Sequence, residues 1–156
     1  MNRSVRHTSF SLEREFDATP DRVFAAWSDP EKKRRWTACD PATTERVHEL
    51  DFRPGGLETT RITTPDGVTR RIVAYYFDIV PGERIVYAYD IVVEEDRIST
   101  SLVTVAFAPS PTGTQMVFTE QVALLDGHDG LEERIHGTQE GLQRLALEIL
   151  SEDRAH

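Results

Sequence analysis

The side chains that most often carry catalysis are scarce in this chain and are poorly spaced for it. Cys39 is the one cysteine, and the negative charge of the neighbouring Asp40 opposes formation of the thiolate that a nucleophile needs. His128 and His136 are eight residues apart, and no Cys-x-x-Cys or His-x-x-x-His pair occurs for a metal. No glycine-rich phosphate loop and no Gly-x-Ser-x-Gly elbow is present. We therefore expect no metal and no cofactor.

Polar side chains within strand-like segments suggest a polar-lined cavity instead. Tyrosines combine apolar rings with hydroxyl tips and suit a pocket wall; they are Tyr75, Tyr76, Tyr87 and Tyr89. Hydroxyl and amide residues share strand parity within each of two pairs: Ser99 with Ser101, and Thr119 with Gln121. Glu120 and Asp90 have the opposite parity, which predicts that they face solvent or a strand rim. Half-exposed positions of an ordinary sheet would give the same pattern, so both interpretations stay open.

One long amphipathic helix is predicted over residues 129–152. Its apolar stripe recurs at steps of three and four residues, through Leu131, Ile135, Thr138, Leu142, Leu145 and Ile149. Asp129 is predicted as its N-cap. Gly137 and Gly141 lie beside this stripe, although glycine costs about 1 kcal/mol relative to alanine inside a helix. Either a strand approaches closely there or space is left for a ligand.

Composition narrows the class of protein. The 156 residues are enough for one domain, and 38% hydrophobic with 29% charged residues is typical of a soluble globular protein. The net charge of −9 argues against nucleic acid or an anionic membrane as partner. The one basic run, residues 32–35, is interpreted as a solvated helix face. A single cysteine is consistent with a reducing compartment, and no apolar run is long enough to insert into a membrane, so a cytoplasmic location is predicted.

The chain before the long helix is mostly strands. Residues 1–7 are predicted to be flexible, and 8–17 alternate as a half-buried strand whose apolar face includes Arg14, at a cavity or a wet rim. Thr19 and Asp29, each followed by proline, start two short helices that end near Trp27 and Trp36. Turn residues separate six further strands: 45–53, 57–64, 68–80, 84–93, 98–108 and 114–124. Short connections favour antiparallel pairing, and a curved seven-stranded sheet covered by the long helix leaves room for a cavity.

Several segments together resemble the SRPBCC (START-like) superfamily, in the branch named after the activator of heat-shock protein 90 ATPase. The resemblance runs from about Phe10 to Ile149 and rests on Ala18–Trp27 with Ser28-Asp29-Pro30, Asp51–Gly56, Asp78–Tyr87, Thr119–Gln121, Arg134, Gly137-Thr138 and Leu142–Leu145. It implies an α+β, helix-grip (Bet v 1-like) fold. Many relatives carry tryptophan where Thr138 stands, which implies a smaller and more polar wall here.

The resemblance indicates fold better than function, since the superfamily contains lipid carriers, hormone receptors, aromatic cyclases and co-chaperone domains. We expect a monomer or homodimer that binds a small hydrophobic or amphipathic molecule in the cavity. The candidate lining residues are Arg14, Trp36, Tyr87, Tyr89, Gln121 and Thr138. One alternative is a cyclase or hydrolase-like enzyme that uses Glu120 or tyrosine hydroxyls for acid–base chemistry. A chaperone-interaction module is the other.

Overall fold

A seven-stranded antiparallel sheet curves around one long helix in the computed structural model, which describes residues 3–38 and 45–155. The elements are β1 (Val5–Phe16), α1 (Pro20–Ser28), α2 (Pro30–Thr37), β2 (Glu45–Leu50), β3 (Leu57–Thr63), β4 (Thr69–Val80), β5 (Arg84–Val93), β6 (Asp96–Ser110), β7 (Gly113–Leu125) and α3 (Leu131–Ala155). The strand order is β1-β7-β6-β5-β4-β3-β2, so β1 pairs with the last strand and the others form a meander. The predicted α+β helix-grip fold is confirmed.

The two short helices begin where their capping residues predict. The Thr19 side chain accepts a hydrogen bond from the backbone N–H of Arg22, and Pro20 occupies the first turn of α1. The Asp29 carboxylate accepts the backbone N–H of Glu31 at 2.9 Å at the start of α2. These side chains accept hydrogen bonds from backbone N–H groups that have no partner inside the helix. Proline has no backbone N–H group and therefore requires no acceptor.

The first strand and the last helix both begin at residues other than those predicted. Residues 5–7 are not a flexible tail, because they extend β1 and pair with Leu125, Leu124 and Ala123 of β7. The long helix begins two residues late, since the carbonyl of Gly130 accepts the first helical hydrogen bond, from Arg134 N. Asp129 therefore lies outside the helix, and its carboxylate pairs with the Arg6 guanidinium at 2.8 Å. At both places the residues concerned contact a partner that is distant in sequence: β7 for residues 5–7 and Arg6 for Asp129.

The apolar stripe of α3 covers the inner face of the sheet unevenly. Leu142, Leu145 and Ile149 in its second half are buried, whereas Ile135 and Thr138 in its first half remain partly exposed. The second half also packs against α1 and α2, whose residues Trp27 and Trp36 meet edge to face with ring centroids 4.8 Å apart. The first half of α3 therefore has space between itself and the sheet.

Candidate functional site

A cavity of about 350 Å³ lies between the first half of α3 and the inner face of the sheet. Its walls come from all three helices and from five of the strands, β2, β3, β4, β5 and β7. Aromatic and aliphatic side chains form much of the lining, among them Trp27, Trp36, Ile72, Tyr87, Tyr89 and Phe118. The alternation of side chains along each strand places Ile72, Tyr87, Tyr89 and Phe118 on one face, because successive residues point to opposite sides of a sheet.

The cavity opens to solvent beside α3, where the lining residues Glu133, Gly137 and Glu140 are exposed. A Cβ atom added to Gly137 would have no other atom within 4 Å. At Gly141 it would meet the side chains of Arg144 at 3.6 Å and Trp36 at 4.0 Å, which is ordinary contact. No strand backbone lies within 4 Å of either position, so close approach of a strand does not explain the glycines, and Gly137 faces open space.

Two buried groups of charged and hydroxyl side chains border the cavity, and their members Lys33, Glu58, Tyr89, Glu120 and Arg134 line it. The first, which we call the Lys33 cluster, consists of Lys33, His48, Glu58 and Tyr76. Lys33 Nζ donates to Glu58 Oε1 at 2.6 Å and to the Tyr76 hydroxyl at 2.9 Å. Tyr76 donates to the same carboxylate oxygen at 2.9 Å, while His48 Nε2 lies 2.7 Å from Glu58 Oε2.

Burial determines the electrostatics of the Lys33 cluster. Burial by itself would raise the pKa of Glu58, but the charge of Lys33 and the hydrogen bond from His48 outweigh it and lower that pKa from its ordinary 4.5 to about 2. Burial and the neighbouring Glu58 charge raise the pKa of Tyr76, so its phenol stays protonated and can donate. Lys33 Nζ also lies 5.5 Å from the ring centroids of Trp27 and Tyr87, close enough for cation–π attraction.

The second group, the Arg134 cluster, ties α3 to the sheet and consists of Tyr89, Ser99, Ser101, Glu120 and Arg134. Three donors converge on Glu120 Oε2: the hydroxyls of Tyr89 and Ser101, at 2.6 and 2.7 Å, and Arg134 Nη1 at 3.0 Å. Arg134 Nη2 donates to Ser99 Oγ at 2.6 Å. A buried ion pair of this kind requires such additional hydrogen bonds to offset desolvation.

The tyrosines of the cavity are neutral at physiological pH. Burial raises the pKa of Tyr89, and the Glu120 charge raises it further, although Arg134 opposes this. Burial also raises the pKa of Tyr87 well above its usual value. Each phenol can therefore donate a hydrogen bond, and each ring adds an apolar surface to the wall.

A family profile described as Activator of Hsp90 ATPase homolog 1-like protein matches residues 17–152. The chain belongs to this family. The expected membership of its branch of the SRPBCC superfamily is confirmed, whereas a comparison with curated protein sequences gives no match.

Solved structures of this family's fold are closely similar to the chain. A putative uncharacterized protein from Rhizobium leguminosarum is 46% identical with a TM-score of 0.92, covering 97% of this chain and 99% of its own. The Mll3558 protein from Rhizobium loti is 41% identical with a TM-score of 0.85, covering 93% and 99%. A protein of unknown function, SA2116 from Staphylococcus aureus, is 19% identical with a TM-score of 0.75, covering 96% and 98%. The last likeness concerns the fold alone.

Four of the six residues predicted to line the cavity do line it: Trp36, Tyr87, Tyr89 and Thr138. Trp36 donates its indole N–H to the Ala26 carbonyl at 2.7 Å, and the Thr138 hydroxyl donates to the Arg134 carbonyl at 2.9 Å. Both polar groups are thus satisfied within the protein, and the two side chains offer mainly shape to the cavity.

Arg14 and Gln121 do not line the cavity. Arg14 is on the inner face of β1, but it is partly exposed, and its guanidinium donates to the carbonyl of Glu13 at 2.7 Å. Gln121 is exposed on the outer face, opposite Ser9 and Leu102 in the neighbouring strands. The expected cavity position is therefore wrong for both, and Arg14 fits the alternative of a wet rim.

The strand parity predicted for Glu120 is also wrong, because Glu120 is only 1% exposed and lines the cavity. Thr119 takes the outer face instead, where its hydroxyl meets that of Ser11 at 2.9 Å. Alternation along β7 contains the correct answer, since Met116, Phe118 and Glu120 share one face and the first two are apolar. A carboxylate among apolar residues of equal parity signals a buried, paired charge.

Sequence reasoning missed Lys33 altogether by taking residues 32–35 as a solvated face. Lys33 is 3% exposed, although Arg34 and Arg35, which follow it in the chain, are exposed as expected. Its spacing from Trp36 is a usable signal, because residues three apart share one side of a helix. The partner that makes this burial possible, Glu58, is 25 residues away and leaves no local trace.

Within residues 3–38 and 45–155, no group of three or more His, Cys, Asp or Glu side chains is arranged to hold a metal ion. Cys39, considered above as a nucleophile, lies outside the described residues. None of the described helices combines the length and apolar character required for crossing a bilayer.

Proposed function

We propose that this protein binds a small hydrophobic or amphipathic molecule in the cavity between the sheet and α3. The observation that carries the proposal is the cavity itself, about 350 Å³ with aromatic walls and a few convergent polar groups. That volume falls within the range of roughly 300–1,000 Å³ typical of small-molecule sites, which are mostly apolar with a few placed polar groups.

Gly137 supports the proposal independently of the cavity's volume. A glycine inside a helix costs about 1 kcal/mol relative to alanine. Here it faces open space, so no packing contact with another element accounts for it. A side chain at this position would extend into the opening of the cavity, and glycine keeps that entrance clear.

The proposal also covers organisation and location. We propose a single-domain protein in the cytoplasm, as the composition predicts, and a monomeric or homodimeric state.

The first test is native mass spectrometry of protein purified from its own host without refolding. A reproducible extra mass that is released on denaturation supports binding of a small molecule and identifies the chemical class of that ligand. The bare protein is then screened for thermal stabilisation with a panel of lipids and small aromatics. A protein without extra mass that gains no stability from any member of the panel would contradict the proposal.

A pair of variants localises any ligand found. Gly137→Leu places a branched side chain where the opening has space, so we expect ligand affinity to fall at least tenfold. Gln143→Leu adds the same side chain to an exposed position of α3 outside the cavity lining, so affinity should not change. Equal affinity of both variants and the unmodified protein would mean that the ligand binds elsewhere.

An enzyme that performs acid–base chemistry is the second candidate, and one observation favours it. The cavity is not free of charged groups: Glu120 lines it, next to the Tyr89 hydroxyl. A carboxylate beside neutral phenols can transfer a proton to and from a bound ring. Prolonged incubation with each ligand, followed by mass analysis of the small molecule, separates the two functions, because a carrier returns its ligand unchanged.

The chaperone-interaction module has one feature in its favour, a group of exposed apolar side chains on the outer face: Leu57, Tyr75, Phe77 and Leu102. Tyr75 and Phe77 contact each other with ring centroids 4.8 Å apart. Nothing in the structure indicates what would cover them. Failure of the ligand experiments would shift attention to this surface.

A further inference from the structure

We propose that Glu120 accepts a hydrogen bond from the ligand, and that the ligand is a neutral aromatic molecule carrying a hydroxyl or N–H donor. The inference rests on the proposed function and specifies the chemistry of the same cavity. Its starting point is an asymmetry in how the Glu120 carboxylate is hydrogen-bonded.

All three protein donors to Glu120 reach the same oxygen. Tyr89, Ser101 and Arg134 donate to Oε2, and no described residue donates to Oε1. A carboxylate can accept on both oxygens, and a buried one is normally satisfied on both. Glu120 is 1% exposed and belongs to the cavity lining, so Oε1 is the oxygen it has left for a group inside the cavity. Glu58 differs, because each of its oxygens already has a protein partner.

The charges of the lining indicate a neutral ligand. Glu120 is paired with Arg134 and Glu58 with Lys33, so the buried charges cancel within the protein. A charged ligand would lose its hydration without gaining a free counter-charge, which is unfavourable in a buried site. The remaining charged residues of the lining are partly or fully exposed at its edge: Arg46, Glu133, Glu140 and Arg144.

The walls around Glu120 favour a flat ring. Phe118 is two residues before it on the same face of β7, and Tyr89 donates to it directly. The Tyr89 ring is followed by the Tyr87 ring, with centroids 6.2 Å apart. Aromatic rings pack well edge to face or offset against such surfaces. A phenol-like molecule can place its ring among these side chains and its hydroxyl against Oε1.

The test uses two probes that differ only in the donor. 2-Naphthol carries a hydroxyl, and 2-methoxynaphthalene has the same ring system without a donor. Hydrogen bonds to charged groups contribute enough for about ten- to a hundredfold in affinity. We therefore expect isothermal titration calorimetry to give an affinity for 2-naphthol at least tenfold higher. 2-Naphthoate, which is anionic, should bind more weakly than 2-naphthol.

The variant Glu120→Gln supplies a second readout. The three donors orient the glutamine amide so that its oxygen lies where Oε2 was. The amide N–H₂ group then takes the place of Oε1, and a hydrogen-bond donor replaces an acceptor. The preference for 2-naphthol should then fall to less than threefold, while Glu13→Gln, an exposed change on β1, should leave it intact. The comparison of the two probes on the unmodified protein stands even if Glu120→Gln fails to fold.

The outcomes separate this inference from the proposed function. Equal affinity for the two probes, or a preference for the ether, overturns the role of Glu120 while leaving cavity binding intact. Binding of a panel lipid without binding of either naphthalene overturns the aromatic class alone. If neither probe binds and no panel member stabilises the protein, both the inference and the proposed function are wrong.

Discussion

Lys33 Nζ lies 2.6 Å from Glu58 Oε1, and this contact joins α2 to β3 across one wall of the cavity. Glu120 and Arg134 form the corresponding link between β7 and α3 on another wall, at 3.0 Å. Both pairs are buried, and each carboxylate also accepts hydrogen bonds from neighbouring hydroxyl groups. The polar groups of the cavity are therefore also structural connections, which makes their removal informative for stability as well as for binding.

Removing Lys33 should be strongly destabilising. Lys33→Met leaves the Glu58 carboxylate buried without its cation, and breaking a buried pair in this way typically costs about 3–5 kcal/mol. Urea denaturation should show a loss of that size. Arg34→Met is the matched control, since Arg34 forms an exposed pair with Glu31 that should contribute less than about 1 kcal/mol. A loss in Lys33→Met no larger than in the control would contradict the buried pair.

The double variant tests whether the two charges depend on each other. Lys33→Met with Glu58→Gln removes both, so neither is left unpaired, and its stability loss should be smaller than the sum of the single losses by about 1–3 kcal/mol. The same denaturation measurement on all four proteins completes the cycle. Strict additivity would show that the two residues do not interact in solution.

Glu58 should make stability depend on pH in the acid range. Its native pKa of about 2 is below the ordinary 4.5, so its stabilisation is complete above about pH 4.5 and is lost as the pH falls toward 2. The shift corresponds to about 3 kcal/mol in total. The stability difference between the unmodified protein and Glu58→Gln should therefore shrink by about 2 kcal/mol between pH 6 and pH 3. A stability difference for Glu58→Gln that stays constant between pH 6 and pH 3 would refute the assignment.

Gly137 should tolerate alanine and gain stability. Alanine is favoured over glycine inside a helix by about 1 kcal/mol, and the added Cβ meets no atom within 4 Å. Differential scanning calorimetry should show a melting temperature about 2–4 °C higher. Gly82→Ala is the opposite case, because φ is +74° there and the new Cβ would lie 2.7 Å from Asp21 Oδ1. A destabilised Gly137→Ala would mean that the helix is packed more tightly at this point.

Thr138→Trp should fill the cavity from the side of α3. Thr138 lines the cavity, and the larger side chain of a tryptophan there would extend into its volume of about 350 Å³. We expect binding of 2-naphthol to become undetectable by calorimetry, while the far-ultraviolet circular dichroism spectrum stays unchanged. Thr100→Trp, an exposed change on β6, should leave binding intact. Retained affinity in Thr138→Trp would place the ligand outside this cavity.

The elements could be predicted from the sequence because their signals are local. Proline after Thr19 and Asp29 marks the starts of α1 and α2, and the three-and-four spacing marks the stripe of α3. Turn residues separate the strands, and the predicted limits of β5, 84–93, coincide with those observed. Each of these patterns involves residues that are only a few positions apart, so it can be recognised in a single sequence without knowledge of long-range contacts.

The cavity's polar chemistry was decided by the tertiary structure. Both faces of β7 carry polar residues, so the strand as a whole is ambiguous, and only the apolar Met116 and Phe118, which share the parity of Glu120, indicate that Glu120 is buried. Lys33 and Arg34 are adjacent basic residues of α2, yet Lys33 is buried and Arg34 is exposed. A charge is buried only where a partner offsets its lost hydration. Lys33 and Glu58, like Glu120 and Arg134, become such partners only when the sheet curves around α3.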